Sequence, residues 1–305
     1  MKSAQVWTLS LSVAVLAMMP APGHAQTLVE TLGEPIAYSL GDGADEIPPP
    51  LGRWEFTIGG RVGAPVGHLR VGEFHGGQGT AVGGAPGTRL GLDTLGIHVS
   101  EAIEASVAFH FTENDAVRLS GLYYFLRGDS TPTQSVVYNG EEFKPGALHA
   151  NADFARLDLA YERALWRSPL DELIGSIGIA YVYFNPTLSG HGSSNSEDFY
   201  LQELPVPIAG LRWTHGFGGH WLLRLGASGG GLPEVNSGRK EGGTVFLQQA
   251  HADADAGLVY RWRGGAELEV GYHFMYFFQH EKSHEDINDF ELIDNGLRVR
   301  FMMRF

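Results

Sequence analysis

A chain of 305 residues with a formal charge of −14 and no cysteine has neither disulfides nor thiolate metal sites at its disposal, and its acidity argues against a nucleic-acid partner. Mean hydropathy is −0.09. With no continuous apolar run of transmembrane-helix length after residue 25, that value excludes a helical membrane protein but suits a barrel, which hides its hydrophobicity by alternation. Glycine, at 42 residues, has about double its usual share.

Lys2, the mostly apolar stretch from Val6 to Met19, and Gly23-His24-Ala25 form the tripartite pattern of an export signal. Residues 1–25 are therefore expected to be removed. That takes away one lysine and no acid. Residues 26–53, acidic and ending near Pro48-Pro49-Pro50, read as a periplasmic leader that need not fold.

From Trp54 the pattern has a period of two, the mark of strands with two unlike faces. Trp54, Phe56, Ile58 and Val62 alternate with Glu55, Thr57 and Arg61. Ile103 to Phe111 repeats this, and Thr112-Glu113-Asn114-Asp115 turns the chain into a third strand carrying Val117, Leu119, Tyr123 and Phe125. A fourth strand, about 149–164, changes phase between Phe154 and Leu157, which a β-bulge near Ala155 would reconcile. The fifth (about 172–184) sets Ile177, Ile179, Tyr181 and Tyr183 against Ser176, Gly178 and Ala180. Further strands follow at about 203–215, from Trp221, at about 246–262 and from Glu267, and the last ends at Phe305.

Short connections at 112–115, 165–171, 216–219 and 263–265 alternate with long ones at about 63–100, 128–148, 185–202, 230–245 and 279–291. Ten antiparallel strands satisfy that alternation with short turns in the periplasm, long loops outside and both termini inside. The predicted fold is all-β, an up-and-down transmembrane barrel over 54–305. Thr88 to Ile97 could pair near Gly67 to Val71 and raise the count to twelve.

Taking the polar parity as inward, the lumen is lined by Arg61, Arg118, Arg156, Arg212, Arg224, Arg261, Arg298, Arg300 and Arg304. Facing them are Glu55, Glu104, Asp158, Glu162, His251, Asp253, Asp255, Glu267 and Glu269. The two signs nearly balance. In so narrow a barrel the charges are expected to interlock, since an unpaired buried charge is strongly destabilising. The alternative is a narrow channel with charged constrictions.

Catalytic pieces are sparse. His191 with Ser193 and Ser194, and His251 with Asp253, are the available combinations, and there is no Gly-x-Ser-x-Gly elbow, Walker loop or His-Glu-x-x-His helix. The Gly76 to Gly84 stretch lacks a strand-to-helix context and reads as a surface loop. His280, His284, Asp286 and Asp289 have no recognised metal-loop spacing. No catalytic residue, cofactor or metal is expected.

The last strand, Leu297 to Phe305, places Leu297, Val299, Phe301, Met303 and Phe305 on one face and Arg298, Arg300 and Arg304 on the other. A terminal Phe after alternating apolar residues resembles the C-terminal sorting signal of bacterial outer-membrane β-barrels. The Gly87-Thr88-Arg89…Asp93-Thr94-Leu95-Gly96 segment resembles one in uncharacterised proteobacterial barrels of that kind. Resemblance to the omptin proteases is confined to strand count. These resemblances imply a monomer in the outer membrane of a Gram-negative cell, delivered by the assembly machinery and in contact with the bilayer and lipopolysaccharide. The expected role is non-enzymatic: porin-like small-solute passage or cell-surface contact. A lipid- or peptide-hydrolysing barrel and a structural or adhesive surface protein are the alternatives.

Overall fold

A computed structural model describes residues 52–73, 87–190, 192–196, 204–236, 246–262, 265–283 and 286–305. The signal, nearly all of the leader, Gly76 to Gly84, His191, Glu197-Asp198 and His284 lie outside these residues. In chain order the first nine strands are β1 (Trp54–Gly63), β2 (Val66–Glu73), β3 (Leu90–Gly91), β4 (Ser100–His110), β5 (Asp115–Phe125), β6 (Arg127–Ser130), β7 (Val136–Tyr138), β8 (Glu141–Phe143) and β9 (Leu148–Asn151). The rest are β10 (Phe154–Arg167), β11 (Asp171–Phe184), β12 (Thr187–Gly190), β13 (Ser193–Ser196), β14 (Val206–Gly216), β15 (Trp221–Asn236), β16 (Phe246–Arg261), β17 (Glu267–Lys282) and β18 (Asp286–Arg304).

Ten of these close a barrel in the order β1-β4-β5-β10-β11-β14-β15-β16-β17-β18, with β18 returning to β1. Every pairing is antiparallel, and the seam runs from Glu55↔Arg304 to Gly63↔Gly296. Closure leaves no free edge among the ten, which a sheet in lipid requires. The outward parity is apolar around the wall: Ile58, Ile103, Leu157, Ile177, Leu258, Val270, Leu297 and Val299 are all exposed. Trp54, Phe111, Trp166, Trp221, Trp262 and Phe305 form an aromatic girdle at the turn end. Tyr123, Tyr183 and Tyr272 stand on the other side of the belt, the arrangement of a membrane-spanning barrel. Phe305 stacks on Phe56 at 5.2 Å, and its backbone pairs with Trp54.

The short turns are built by side-chain hydroxyls. Thr112 Oγ1 accepts from the backbone N–H groups of Asn114 and Asp115, at 3.1 and 2.9 Å. Ser168 Oγ does the same for Asp171 at 3.0 Å. Such local acceptors favour a turn over continued strand.

The two extra strands lie where the Thr88 to Ile97 segment was expected to pair. The link Ala64-Pro65 interrupts the edge of the sheet, since Pro has no N–H to give the ladder. Beyond it, β2 continues up the same neighbour, pairing with the upper half of β18 from Asp286↔Glu73 to Ile293↔Val66. β3 adds two residues to β2, His68↔Gly91 and Leu69↔Leu90. The barrel has ten strands, and these two extend it outside the belt.

Three features differ from the sequence reading. The 279–291 stretch is mostly strand, because β17 and β18 run on to meet around Ser283, whose backbone N–H bonds Asp286 O at 2.8 Å. The 128–148 and 185–202 connections carry short sheets, β13-β12-β9-β6 and β7-β8. Finally, there is no bulge at Ala155: β10 pairs without a break from Phe154↔Phe184 to Ala164↔Ile174, and its register shift lies between Ala164 and Trp166. Ala150, Ala152, Phe154 and Arg156 keep one parity throughout. What changes between them is the chemistry of the inner face.

The topology predicts that a cysteine introduced at Asn114 is not labelled by a membrane-impermeant maleimide in intact cells, but is labelled once the envelope is opened. Labelling in intact cells would invert the barrel.

Candidate functional site

The inner wall has two zones. Within the belt it is charged, and the charges are paired. Arg118 bonds Glu55 at 2.6 Å and Glu162 at 2.8 Å, and Arg212 joins Glu162 at 3.4 Å. Arg61 bonds Glu104 at 2.5 Å, while Arg156 bridges Asp253 at 2.9 Å and Asp158 at 3.2 Å. Glu269 is the hub. Its two oxygens accept from Arg224 at 2.9 Å, Arg298 at 2.9 Å and Arg300 at 2.7 Å. Arg298 also takes Asp255 at 2.7 Å, and Glu267 ties Arg224 to Arg261 at 2.7 and 2.6 Å.

Glycines make room for these heads. A Cβ at Gly257 would lie 2.8 Å from Glu269, and one at Gly226 would lie 2.7 Å from Asp255. Some of the pairs run along the wall between nearby strands, whereas Arg156 on β10 reaches across the lumen to Asp253 on β16. They leave a cavity of about 180 Å³ lined by Thr57, Ser106, Ser120 and Ser228 among the charged groups. Arg298 Nε, Arg300 Nε, Glu104 Oε1, Asp158 Oδ1 and Asp253 Oδ1 have no protein hydrogen-bond partner. A chamber this polar is a place for a few waters.

Above this network the inner face turns apolar. Tyr124 stacks on Phe154 at 4.9 Å, Phe154 on Phe277 at 5.6 Å and Phe184 on Phe290 at 4.3 Å. Phe277 and Phe290 meet at 5.7 Å. These five rings come from β5, β10, β11, β17 and β18, so they span the lumen, and each is fully buried. Outside them, Leu69, Val71, Leu92, Leu95 and Ile97 of the first long connection join Val136, Tyr138, Phe143, Leu148 and Leu188 of the outer sheets in one apolar core.

Asp294 sits between the zones. It is fully buried and accepts from Ser100 Oγ at 2.6 Å, Tyr124 Oη at 3.0 Å and His273 Nε2 at 2.9 Å. Three donors to one carboxylate are what a buried charge needs in the absence of solvent.

The predicted lumen residues are placed unequally. Arg61, Arg118, Arg156, Arg212, Arg224, Asp253, Asp255, Arg298 and Arg300 line the cavity. Glu267 and Glu269 are buried beside it, and Arg261 is nearer the turn end. His251 belongs with the aromatic layer, 5.0 Å from the Phe277 ring. Neither of its ring nitrogens has a hydrogen-bond partner, so the considered His251–Asp253 pair does not form; Asp253 is held by Arg156.

Among the described residues no group of three or more His, Asp or Glu is placed to hold a metal ion. Asp289 bonds Arg70 and His280 on the outward face above the belt, while Asp286 caps the β17–β18 turn by donating its backbone N–H to Ser283 Oγ.

Two arrangements were not anticipated. The aromatic layer had a signal, since Leu122 to Leu126, Ala180 to Phe184 and Phe274 to Phe278 are apolar on both parities. The second is a row across the outer sheet. Asp129 lies opposite His149 on the neighbouring strand, and Ser189 lies opposite His149 on its other side. Asp129 Oδ1 bonds His149 Nδ1.

No protein-family model matches this sequence, and no curated protein sequence does. Solved structures with a similar course include the outer membrane protease OmpT from Escherichia coli, at 11% identity and a TM-score of 0.45 over 82% of this chain and 97% of that one. The translocator domain of the autotransporter NalP from Neisseria meningitidis gives 14% and 0.41 over 92% and 96%. The Pseudomonas putida toluene transporter TodX gives 10% and 0.29 over 83% and 90%. The likeness is one of barrel architecture alone.

If the charged zone is structural, Arg298→Ala or Asp253→Ala should lower unfolding stability by about 3–5 kcal/mol, less where water reaches the orphaned partner. Heat-modifiability on gels and denaturant melts measure this. An unchanged midpoint for both variants would mean that the lumen is hydrated enough not to need the pairs.

Proposed function

We propose that this protein is an outer-membrane barrel whose lumen is sealed and whose work is done at its outer face, where it presents a folded cap to the cell's surroundings. The observation that carries this reading is the aromatic layer of Tyr124, Phe154, Phe184, Phe277 and Phe290. A solute moving through would have to part five packed rings and also displace a paired charge network, two barriers of opposite chemistry. The cap consists of short sheets sharing one core with the barrel. It offers a shaped surface, as an interaction or adhesive face requires.

Planar-bilayer recording of the purified protein tests this. The expected result is silence at both polarities. Stable conductance steps that disappear when Arg156 or Arg298 is changed would replace it with the channel reading.

A second reading has one specific observation in its favour, the Asp129–His149–Ser189 row. Nδ1 of His149 is taken by Asp129 and the ring is flanked by Ser189 on the opposite strand, which is the order of roles in a serine hydrolase: orienting acid, base, nucleophile. The row is exposed and open, whereas such sites are usually concave. The discriminating measurement is covalent labelling by a fluorophosphonate probe on whole cells. The sealed-scaffold reading expects no label. Label that vanishes in Ser189→Ala and falls sharply in His149→Ala would establish the hydrolase.

A further inference from the structure

The lipid-facing wall is not uniformly filled. On β4, β5 and β10 the outward positions Ala105, Gly121 and Ala155 carry little or no side chain. They are neighbours across the ladder: Ala105↔Gly121, Gly121↔Leu157 and Tyr123↔Ala155. Ile58, Ile103, Tyr123, Leu157, Tyr181 and Tyr183 stand around them and enclose an apolar groove of about 580 Å³ on the outside of the barrel. The glycine is not there to relieve crowding. A Cβ built at Gly121 meets nothing within 4 Å, in contrast to Gly257 or Gly226 on the inner face. The groove exists because this position lacks a side chain that the fold would accommodate.

The groove has a polar end. Two residues beyond Tyr123 and Phe125 on the same outward face is Arg127, whose guanidinium lies over the Phe125 ring at 5.5 Å. Nε and Nη2 bond Asp153 Oδ2 at 3.1 and 2.7 Å, and Tyr123 Oη bonds the same oxygen at 3.3 Å. These contacts hold the cation upright at the top of the groove. Its side chain is nevertheless 62% exposed while that of Asp153 is 8% exposed, so the pair presents its positive member outward. Strand direction places this end of the groove towards the long connections, in the outer half of the belt.

We infer that this groove is a docking site for lipid A of lipopolysaccharide, with an acyl chain lying over Gly121 and a phosphate on the open edge of Arg127. The inference rests on the outer-membrane reading above. Its chemical basis is the pairing of an apolar trough with a guanidinium one step past its end. Arginine takes phosphate with charge-assisted bonds. The groove lies in the outer half of the belt, against the leaflet that lipopolysaccharide occupies, and lipid A carries its phosphates on the same sugar rings that bear its acyl chains. On a chain with a net charge of −14, an exposed arginine at that level is the complement of an anionic lipid, while the acidic remainder would repel one.

Native mass spectrometry of the full-length mature barrel, released from detergent with equimolar lipid A, phosphatidylglycerol and phosphatidylethanolamine, tests the site. The wild type should retain lipid A in preference to both phospholipids. Gly121→Leu, whose Cβ has open space around it, and Arg127→Gln should each reduce that retention by about tenfold, the ratio expected for losing roughly 1.4 kcal/mol. Both should stay folded and heat-modifiable. Retention of lipid A unchanged in Gly121→Leu, or equal retention of phosphatidylglycerol by the wild type, would overturn the inference. Neither outcome bears on the sealed lumen, which the bilayer recordings test separately, and conductance in those recordings would leave the groove standing.

Discussion

The constraint on which this structure depends is the cost of charge inside a ten-stranded barrel. The ring of strands is far narrower than a porin's, and the strands bring eight acids and nine arginines to the inner face. A carboxylate left alone there would be worse than no carboxylate at all, because its desolvation is returned only by well-made partners. Glu269 shows the solution, with three guanidinium groups on two oxygens. The like-charged pair Arg61↔Arg298, directly opposite each other across the seam, is tolerable only because Glu104 and Asp255 take one each. Inward glycines supply the space for this arrangement. Gly226 and Gly257, beside Asp255 and Glu269, are the clearest cases.

The same logic explains why the lumen changes character partway along. Within the belt the outside of the wall faces lipid and the inside carries polar groups. Past the belt the outside faces water, and folded connections cover the inside. β18 shows both regimes in one strand. From Leu297 to Phe305 the apolar residues point out and the arginines in. From Asp286 to Ile293, Phe290 and Leu292 point in and are fully buried, while Asp289 and Glu291 point out to meet Arg70 and His68. The strand never changes its pleat. The solvent on its outer face changes, and the residue pattern inverts with it.

That inversion is why some of the fold was legible in the sequence and some was not. Period-two alternation located the ten barrel strands within the belt, because lipid on one face and charge on the other is the strongest contrast a strand can carry, but it missed the outer ends of β15, β17 and β18. The phase change near Ala155 was visible too, but a sequence cannot distinguish an extra residue from a change of surroundings. A bulge and a polarity inversion write the same pattern. The aromatic layer was missed for a related reason: runs such as Tyr181-Val182-Tyr183-Phe184 are apolar on both faces, and alternation offers no way to tell which ring turns inward. The Asp129–His149–Ser189 row depends on the pairing of three short strands distant in sequence, which no spacing reveals. Proximity along the chain singles out His191 with Ser193 and Ser194 instead, and His191 lies outside the described residues.

Between the two zones stands Asp294, and its position links the architecture to the functional reading. A hydrophobic constriction in series with charged rings is a barrier to solute movement. Here the polar wall ends at a carboxylate whose three hydrogen bonds reach to β4, β5 and β17 at once. Tyr124 is shared: its hydroxyl completes the shell of Asp294 and its ring begins the aromatic stack. Loosening the stack would expose a buried charge, and removing the charge would orphan the Tyr, Ser and His groups that hold the stack in register. The two zones therefore lock each other, and under the sealed-lumen reading proposed above the surfaces left free to act are the outer cap and the wall that faces lipid.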